Sequence, residues 1–266
     1  MEDALGSGAP GALMTQALEM MGDAGSGRPS TGPRLEAAGT RLRHFHVCAF
    51  FNTREEEYQV LGPFYRDALR RGGPHLHFLE PGDIASGAAD EHRDLLRAIG
   101  IDGAACEHCG QLSLQAWPAP VEASAGGRRR LDVDALLQVL ESATAAGVDE
   151  AVEASGDGGL RVMGRMGWAI RGDLDRLDLL EYEARANEVL DRNRQAAICV
   201  YDLASLDGAT MMDLLRTHPL TLIGGVLREN PFFTPPAEML RELSARRVSG
   251  RRRGPPALAM LSRAGS

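Results

Sequence analysis

The chain has 266 residues and a formal net charge of −8, from 29 basic and 37 acidic side chains. Every basic side chain is arginine, so the sequence contains no lysine. Walker-type phosphate loops and Schiff-base catalysis both require a lysine, and these chemistries are therefore excluded. The hydrophobic content of 44% is ordinary for a globular chain, and the acidic balance argues against a general nucleic-acid binder.

The first 40 residues are rich in Gly, Ala, Pro and Ser, and we expect a disordered segment there. Within it, Leu13, Met14, Ala17, Leu18 and Met21 follow helical spacing, which favours a frayed turn or a short partner-binding helix. The acidic start does not resemble a signal peptide, and no apolar run reaches the length of a membrane span. We therefore expect a cytoplasmic protein with reduced cysteines.

From residue 41 to about 247, apolar strands alternate with helices. We predict strands at 44–51, 75–80, 111–117, 160–166, 196–201 and 220–227. We predict helices from 53 to about 68 and at 88–99, 131–145, 174–192, 206–217 and 235–247, with an acidic loop at 147–159. Thr53 and Glu56 form a capping-box pattern. The alternation predicts one α/β domain at 41–247 with a buried, mostly parallel sheet, followed by a basic disordered tail at 248–266.

Several blocks of this domain match a known family in the right order. They are His46-x-Cys48-x-Phe50-Phe51, Glu57-Tyr58, Leu61-x-Pro63-Phe64, Met163-Gly164-x-Met166-x-Trp168-Ala169, Glu181-Tyr182-Glu183 with Asn187, Cys199-x-Tyr201-Asp202, His218-Pro219, and Gly224-Gly225-Val226-Leu227-x-Glu229-Asn230-Pro231-Phe232-Phe233. Over about residues 41–245 the chain resembles the MEDS domain, a sensory domain named after methanogens, methylotrophs and the repressor of dichloromethane dehalogenase.

The resemblance implies a RecA-like three-layer sandwich, related to RecA/KaiC-type ATPases but without their nucleotide motifs. It also implies a sensory role in a family that is usually attached to a DNA-binding or kinase module. We expect no such module in this sequence, where only a short basic tail follows the last predicted helix. Arg165 also departs from the family, since a small polar or acidic residue is expected there.

Nucleotide binding is not expected after the first strand. The position of a phosphate loop is occupied by Asn52, Thr53 and Arg54, followed by three glutamates, with no glycine or lysine. These carboxylates would repel phosphate and already occupy the positive end of the helix. We therefore expect no ATP hydrolysis.

Ligands of open α/β sheets bind beyond the carboxyl ends of the strands. The residues predicted to gather there are Phe51, Asn52, Glu80, Trp117, Met166, Trp168, Tyr201, Asp202 and Asn230. The set is aromatic and apolar with a few polar groups, which is typical of a pocket for a small organic ligand. In the alternative interpretation, Trp168 and Tyr201 are core residues and Asp202 caps a turn. The family resemblance favours the pocket.

A metal or thiol site is a second interpretation. His44 and His46 alternate on the first strand, and His75 and His77 alternate on the second. If these strands were neighbours in register, the four imidazoles could converge on a metal ion. Most such pairs of histidines are coincidental. Cys106 and Cys109 form a lone CxxC without the second pair of a structural zinc site. A redox pair, a transient metal clip and an inert loop all remain open for them.

No catalytic set emerges from the sequence. Glu183 and Asn187 lie four residues apart on one predicted helix, and His218 ends another, but no nucleophile elbow or paired-carboxylate pattern is present.

We therefore expect a non-catalytic sensory domain that binds a small organic ligand, without a cofactor. It would signal to a separate transcriptional or kinase-type protein partner or through a homodimer, without contacting nucleic acid or a membrane itself. The alternative is a metal- or thiol-based redox sensor that uses Cys106, Cys109 and the paired histidines.

Overall fold

The computed structural model describes residues 35–37, 40–42, 45–70, 72–119, 129–154, 160–171 and 174–252. The helical pattern predicted at 13–21 and most of the segment predicted to be disordered lie outside these residues, as does the tail from 253 onward.

The described residues form nine strands and eight helices. The strands are β1 (Leu35–Ala37), β2 (Thr40–Leu42), β3 (Phe45–Phe51), β4 (His75–Leu79), β5 (Leu112–Ala116), β6 (Arg161–Arg165), β7 (Ala196–Asp202), β8 (Leu220–Ile223) and β9 (Val226–Glu229). The helices are α1 (Arg54–Arg70), α2 (Asp83–Ser86), α3 (Ala88–Ala98), α4 (Gly103–His108), α5 (Val133–Ala154), α6 (Arg176–Asn193), α7 (Gly208–Thr217) and α8 (Pro236–Arg252). None of these helices is long and apolar enough to cross a membrane.

Seven strands form one central sheet in the order β5-β4-β6-β7-β3-β8-β9, which is parallel except for the antiparallel β9. Strand β3 shows why the sheet is buried on both faces: Val47 and Ala49 pack into one core, whereas Cys48 and Phe50 pack into the other. Helices α1 and α3 cover the first face, and α5, α6, α7 and α8 cover the second. The predicted α/β class, three layers and mostly parallel central sheet are confirmed.

Three predicted boundaries are wrong. The strand predicted at 220–227 is a hairpin of β8 and β9, because Gly224 and Gly225 adopt φ angles of 57° and 77°, as the turn of a tight hairpin requires. The predicted loop at 147–159 begins later, since α5 continues to Ala154, and α8 runs to Arg252 rather than ending at 247. The short helices α2 and α4 were not predicted. Strand β1 also lies inside the segment that was expected to be disordered.

The start of α1 is capped as predicted, with one difference. The Thr53 hydroxyl accepts from the Glu56 backbone N–H at 3.1 Å. The Glu56 carboxylate accepts from the backbone N–H of Asn52 at 2.8 Å and from its side-chain amide at 3.0 Å, rather than from Thr53. The free end of this helix is therefore occupied by the chain's own side chains.

Candidate functional site

A pocket of ≈ 200 Å³ opens at the carboxyl ends of β3, β6 and β7, and we call it the edge pocket. Its lining residues are Phe51, Asn52, Thr53, Arg54, Glu57, Glu80, Arg165, Gly167, Arg171, Val200, Tyr201 and Asp202. Five of the residues predicted to bind a ligand border this pocket, namely Phe51, Asn52, Glu80, Tyr201 and Asp202. Asp202 also accepts from the Ala204 backbone N–H at 2.9 Å, which caps the turn after β7.

The three other aromatic or apolar residues predicted for the pocket do not line it. Trp117 is stacked on Phe78, with ring centroids 4.1 Å apart, inside the hydrophobic core. Met166 and Trp168 belong to the same core. As a result, the edge pocket is more polar than the sequence led us to expect.

Asn230 does not line the edge pocket either. Its side-chain amide donates to the backbone carbonyls of Leu215 at 2.5 Å and His218 at 2.7 Å. Asn230 follows β9, and these hydrogen bonds link the end of that strand to the end of α7.

Ion pairs dominate the wall of the edge pocket. Arg165 is buried, donates to Glu57 at 3.1 Å, and donates to the Tyr58 hydroxyl at 3.1 Å. Arg171 pairs with Glu80 across the mouth. Burial raises the pKa of Glu57, although Arg165 beside it opposes that shift. Within the described part of the chain, the buried Arg165 Nε has no hydrogen-bond partner.

A second group of polar side chains lies inside the protein, on the face covered by α6 and α7. It consists of His46 from β3, Glu183 from α6, Cys199 from β7 and His218, the residue after α7. We call it the thiol–histidine cluster. One ligand-type atom from each residue lies within 4.8 Å of all the others, and all four residues are buried.

The distances inside this cluster are short. Glu183 Oε2 lies 3.2 Å from His46 Nε2 and 3.3 Å from His218 Nε2. Cys199 Sγ lies 3.1 Å from His46 Nε2 and 3.4 Å from the same Glu183 oxygen. Burial opposes the ionisation of Glu183, but His218 and His46 beside it hold its pKa below the usual range.

Outer contacts hold the cluster in place. Asn187 Oδ1 lies 3.3 Å from His46 Nδ1, and the Leu214 carbonyl lies 2.9 Å from His218 Nδ1. The Tyr201 hydroxyl donates to the other oxygen of Glu183. Each of the two imidazoles is therefore anchored at Nδ1 and directs Nε2 toward the carboxylate.

A third group, which we call the tyrosine–histidine cluster, lies on the opposite face of the sheet and consists of Tyr58, Tyr65, His75, His77 and His92. His77 Nδ1 lies 2.9 Å from His92 Nε2, and His92 Nδ1 contacts the Tyr58 hydroxyl. Burial first and Arg165 second lower the pKa of His77 to about 3.

The predicted convergence of the histidine pairs is wrong. Strands β3 and β4 are separated by β6 and β7, so the pairs are not neighbours. His46 also faces the core that contains Cys48, whereas His75 and His77 alternate with Leu76, which belongs to that same core, and so point to the other face. His44 lies outside the described residues.

The CxxC pair lies apart from these clusters. Cys106 is in α4 and half-buried, and Cys109 follows the helix and is exposed. The Cys109 thiol donates to the Cys106 carbonyl at 3.3 Å. Among the described residues, no third ligand joins the pair in a metal-binding group.

Three members of the thiol–histidine cluster were missed as possible ligands: Glu183, Cys199 and His218. Each stands in a family block quoted from the sequence, but Cys199 and His218 lie 16 and 35 positions after Glu183, in separate elements. Only the strand order and the packing of α6 bring them together.

Comparison with known proteins gives one family and a set of solved structures with similar folds, of which two are described below. The family model described as "MEthanogen/methylotroph, DcmR Sensory domain" (MEDS) matches residues 45–219, more than half of the chain. None of the curated proteins matches.

The first structure is a KaiC-like protein from the hyperthermophilic archaeon Pyrococcus horikoshii OT3, with 15% identity, a TM-score of 0.45, and coverage of 66% of this chain and 70% of that chain. The second is an uncharacterized protein from Pyrococcus horikoshii in complex with an unknown peptide, with 11% identity, a TM-score of 0.47, and coverage of 67% and 76%.

Proposed function

The chain belongs to the MEDS family of sensory domains, and on that premise we propose that it is a non-catalytic sensor of a small, polar organic molecule. The molecule binds in the edge pocket, and the bound state passes to a separate transcriptional or kinase-type partner protein. The domain thus reports the presence of its ligand and leaves the response to the partner.

The observation that carries this proposal is the unpartnered Nε of Arg165. A buried donor without an acceptor costs about 1–3 kcal/mol, so a ligand that brings an acceptor removes that cost. Arg165 lines the edge pocket and is otherwise held by Glu57 and Tyr58, which fixes its direction. An alcohol, amide, ketone or carboxylate supplies the acceptor required.

The size and charge of the edge pocket support a small ligand rather than a nucleotide. Its volume of ≈ 200 Å³ is below the range of about 300–1,000 Å³ usual for drug-sized ligands. Its lining includes three arginines and three carboxylates, so the wall offers no net positive charge to a polyphosphate. The N-terminus of α1, where a phosphate would bind, is capped by Thr53 and Glu56.

The test begins with native mass spectrometry of the protein purified from its own host, which detects a retained small molecule. Calorimetry then measures the affinity of the identified molecule for the unmodified protein and for the Gly167→Val variant. A Cβ at Gly167 would lie 3.3 Å from Arg171 and 3.8 Å from Glu80, so a larger side chain narrows the edge pocket. We expect binding to weaken at least about tenfold, or about 1.4 kcal/mol.

The matched control is Gly208→Ala at the start of α7, where an added Cβ meets no atom within 4 Å. Its affinity should equal that of the parent. Equal binding by Gly167→Val would place the ligand elsewhere. ATP hydrolysis by the pure protein that is lost on Asn52→Ala would overturn the non-catalytic role, and a partner whose binding ignores the ligand would overturn the signalling role.

A further inference from the structure

We propose that the thiol–histidine cluster is a binding site for one divalent transition-metal ion, with zinc as the best match. The site is separate from the edge pocket and uses none of the predicted CxxC. Its ligands are two imidazole nitrogens, one carboxylate oxygen and one thiolate sulfur, a set typical of tetrahedral zinc.

The spacing of the four ligand atoms fits such an ion. With bonds of about 2.0–2.1 Å to nitrogen and about 2.3 Å to sulfur, a tetrahedron has edges of roughly 3.3–3.6 Å. Four of the edges in the cluster measure 3.1, 3.2, 3.3 and 3.4 Å. The two remaining edges, from His218 Nε2 to His46 Nε2 and to Cys199 Sγ, are no longer than 4.8 Å, so a small movement of His218 would complete the tetrahedron.

The protonation of His46 is set by its neighbour. The Asn187 side-chain NH₂ donates to the backbone carbonyls of Glu183 at 2.9 Å and Thr217 at 2.8 Å, which orients the amide. Asn187 Oδ1 is left as an acceptor, so His46 Nδ1 must donate to it. The lone pair of neutral His46 is then on Nε2, which faces Glu183.

A neighbouring oxygen also determines which ring nitrogen of His218 carries the hydrogen. Its Nδ1 lies 2.9 Å from the Leu214 carbonyl, which can only accept. When the ring is neutral, its lone pair is therefore also on Nε2. Hydrogen bonds from a metal-binding histidine to a carbonyl or amide oxygen are the usual outer contacts of a zinc site.

These orientations place three acceptors against one another. With both rings neutral, the two Nε2 atoms and the Glu183 oxygen converge as acceptors, while the thiols of Cys199 and of Cys48, which neighbours His218, offer one hydrogen each. His218 Nε2 has no hydrogen-bond partner of adequate geometry among the described residues. A cation between these atoms satisfies all three, and metal binding releases the thiol proton together with any proton held by His218.

Burial strengthens this inference. Glu183 and His218 are each 0% exposed, and His46 is 2% exposed. A buried carboxylate is costly unless it is paired, and a divalent cation is the strongest partner available to it. The metal would tie β3, β7, α6 and the end of α7 together, which gives it a structural role.

The test measures metal content in the full chain produced with added zinc and passed through metal-free buffer. We expect about one zinc ion per chain, falling below about a tenth in Cys199→Ser. The matched control, Cys106→Ser combined with Cys109→Ser, should keep about one ion per chain, since that pair lies outside the site. Circular dichroism and thermal melts establish that each variant is folded.

A second measurement covers the case in which Cys199→Ser does not fold. The parent protein loaded with cobalt should show the intense near-ultraviolet band of a thiolate–cobalt bond and the visible bands of tetrahedral coordination. Parent protein that binds neither zinc nor cobalt overturns the proposal. Metal retained at full stoichiometry in folded Cys199→Ser, or lost from the Cys106/Cys109 variant, also overturns it.

Discussion

The two faces of the sheet each bury histidines, but they surround them with opposite charge. In the thiol–histidine cluster, His46 and His218 flank the Glu183 carboxylate. In the tyrosine–histidine cluster, His77 contacts His92, and His92 contacts the Tyr58 hydroxyl. That hydroxyl accepts a hydrogen bond from the Arg165 guanidinium. The histidines are buried on both faces, so the charge of the neighbouring group decides the protonation state that each cluster favours.

The pKa values follow this contrast. Burial alone would lower the pKa of His218, but Cys48 and Glu183 raise it well above its ordinary value. His77 lacks an anionic neighbour, and burial together with Arg165 lowers its pKa to about 3. One face therefore favours the protonated form of His218, whereas the other keeps His77 neutral.

The largest expected loss of stability comes from a substitution in the thiol–histidine cluster. Glu183→Ala removes the carboxylate between the two imidazoles and leaves the Tyr201 hydroxyl without its acceptor. We expect the free energy of unfolding to fall by about 3–5 kcal/mol, as when one partner of a buried charged pair is removed. Urea titration measures the change.

The control for this variant is Glu181→Ala on the same helix. Glu181 is only partly buried and pairs with Arg185 and Arg247 near the surface. A loss of no more than about 1 kcal/mol is expected. Equal losses in the two variants would contradict the special role of Glu183.

The second largest effect is the pH dependence of stability that comes from His77 in the tyrosine–histidine cluster. Unfolded histidine has its pKa near 6.5, whereas that of folded His77 is about 3, so acid favours the unfolded state between these values. The contribution of His77 is fully present above pH 6.5 and is lost as the pH falls toward 3. By pH 5 we expect a loss of about 2 kcal/mol from this residue.

His77→Gln should lack that part of the pH dependence, which urea titrations from about pH 8 down to about pH 5 measure. Its stability relative to the parent should stay constant above about pH 8, where His77 is neutral in both states. Parallel curves for the two proteins over the whole acidic range would refute the assignment of a neutral, buried His77.

The smallest effect separates two tyrosines of the tyrosine–histidine cluster. The Tyr58 hydroxyl contacts His92 and accepts from Arg165, which keeps Glu57 as a partner, so Tyr58→Phe should cost about 1 kcal/mol. Among the described residues, the buried Tyr65 hydroxyl has no hydrogen-bond partner. Tyr65→Phe should therefore be neutral or slightly stabilising, and thermal melts of both variants measure the difference. A loss of stability in Tyr65→Phe as large as that in Tyr58→Phe would contradict the different bonding of the two hydroxyls.

The fold was largely predictable because its strands are apolar on both faces and its helices are amphipathic, and both patterns are local. The hairpin of β8 and β9 was missed because eight mostly apolar residues were interpreted as one strand. The signal was present in Gly224-Gly225, a pair that favours a two-residue hairpin turn. The extension of α5 was missed because its acidic end was taken for a loop.

The sites were less predictable because they depend on the order of the strands. The rule that ligands bind at the carboxyl ends of parallel strands located the edge pocket and its Asn52, Glu80 and Asp202. It could not tell that Trp117 and Trp168 turn into the core. The thiol–histidine cluster combines two strands, one helix and the end of another, and no spacing in the chain encodes that meeting.

Tyr201 contacts both proposed sites. It borders the edge pocket, and its hydroxyl donates to the Glu183 carboxylate of the thiol–histidine cluster. Any shift of Tyr201 on ligand binding therefore changes the free energy of the metal site, and thermodynamic reciprocity applies to the pair. The factor by which the ligand alters zinc affinity would then equal the factor by which zinc alters ligand affinity.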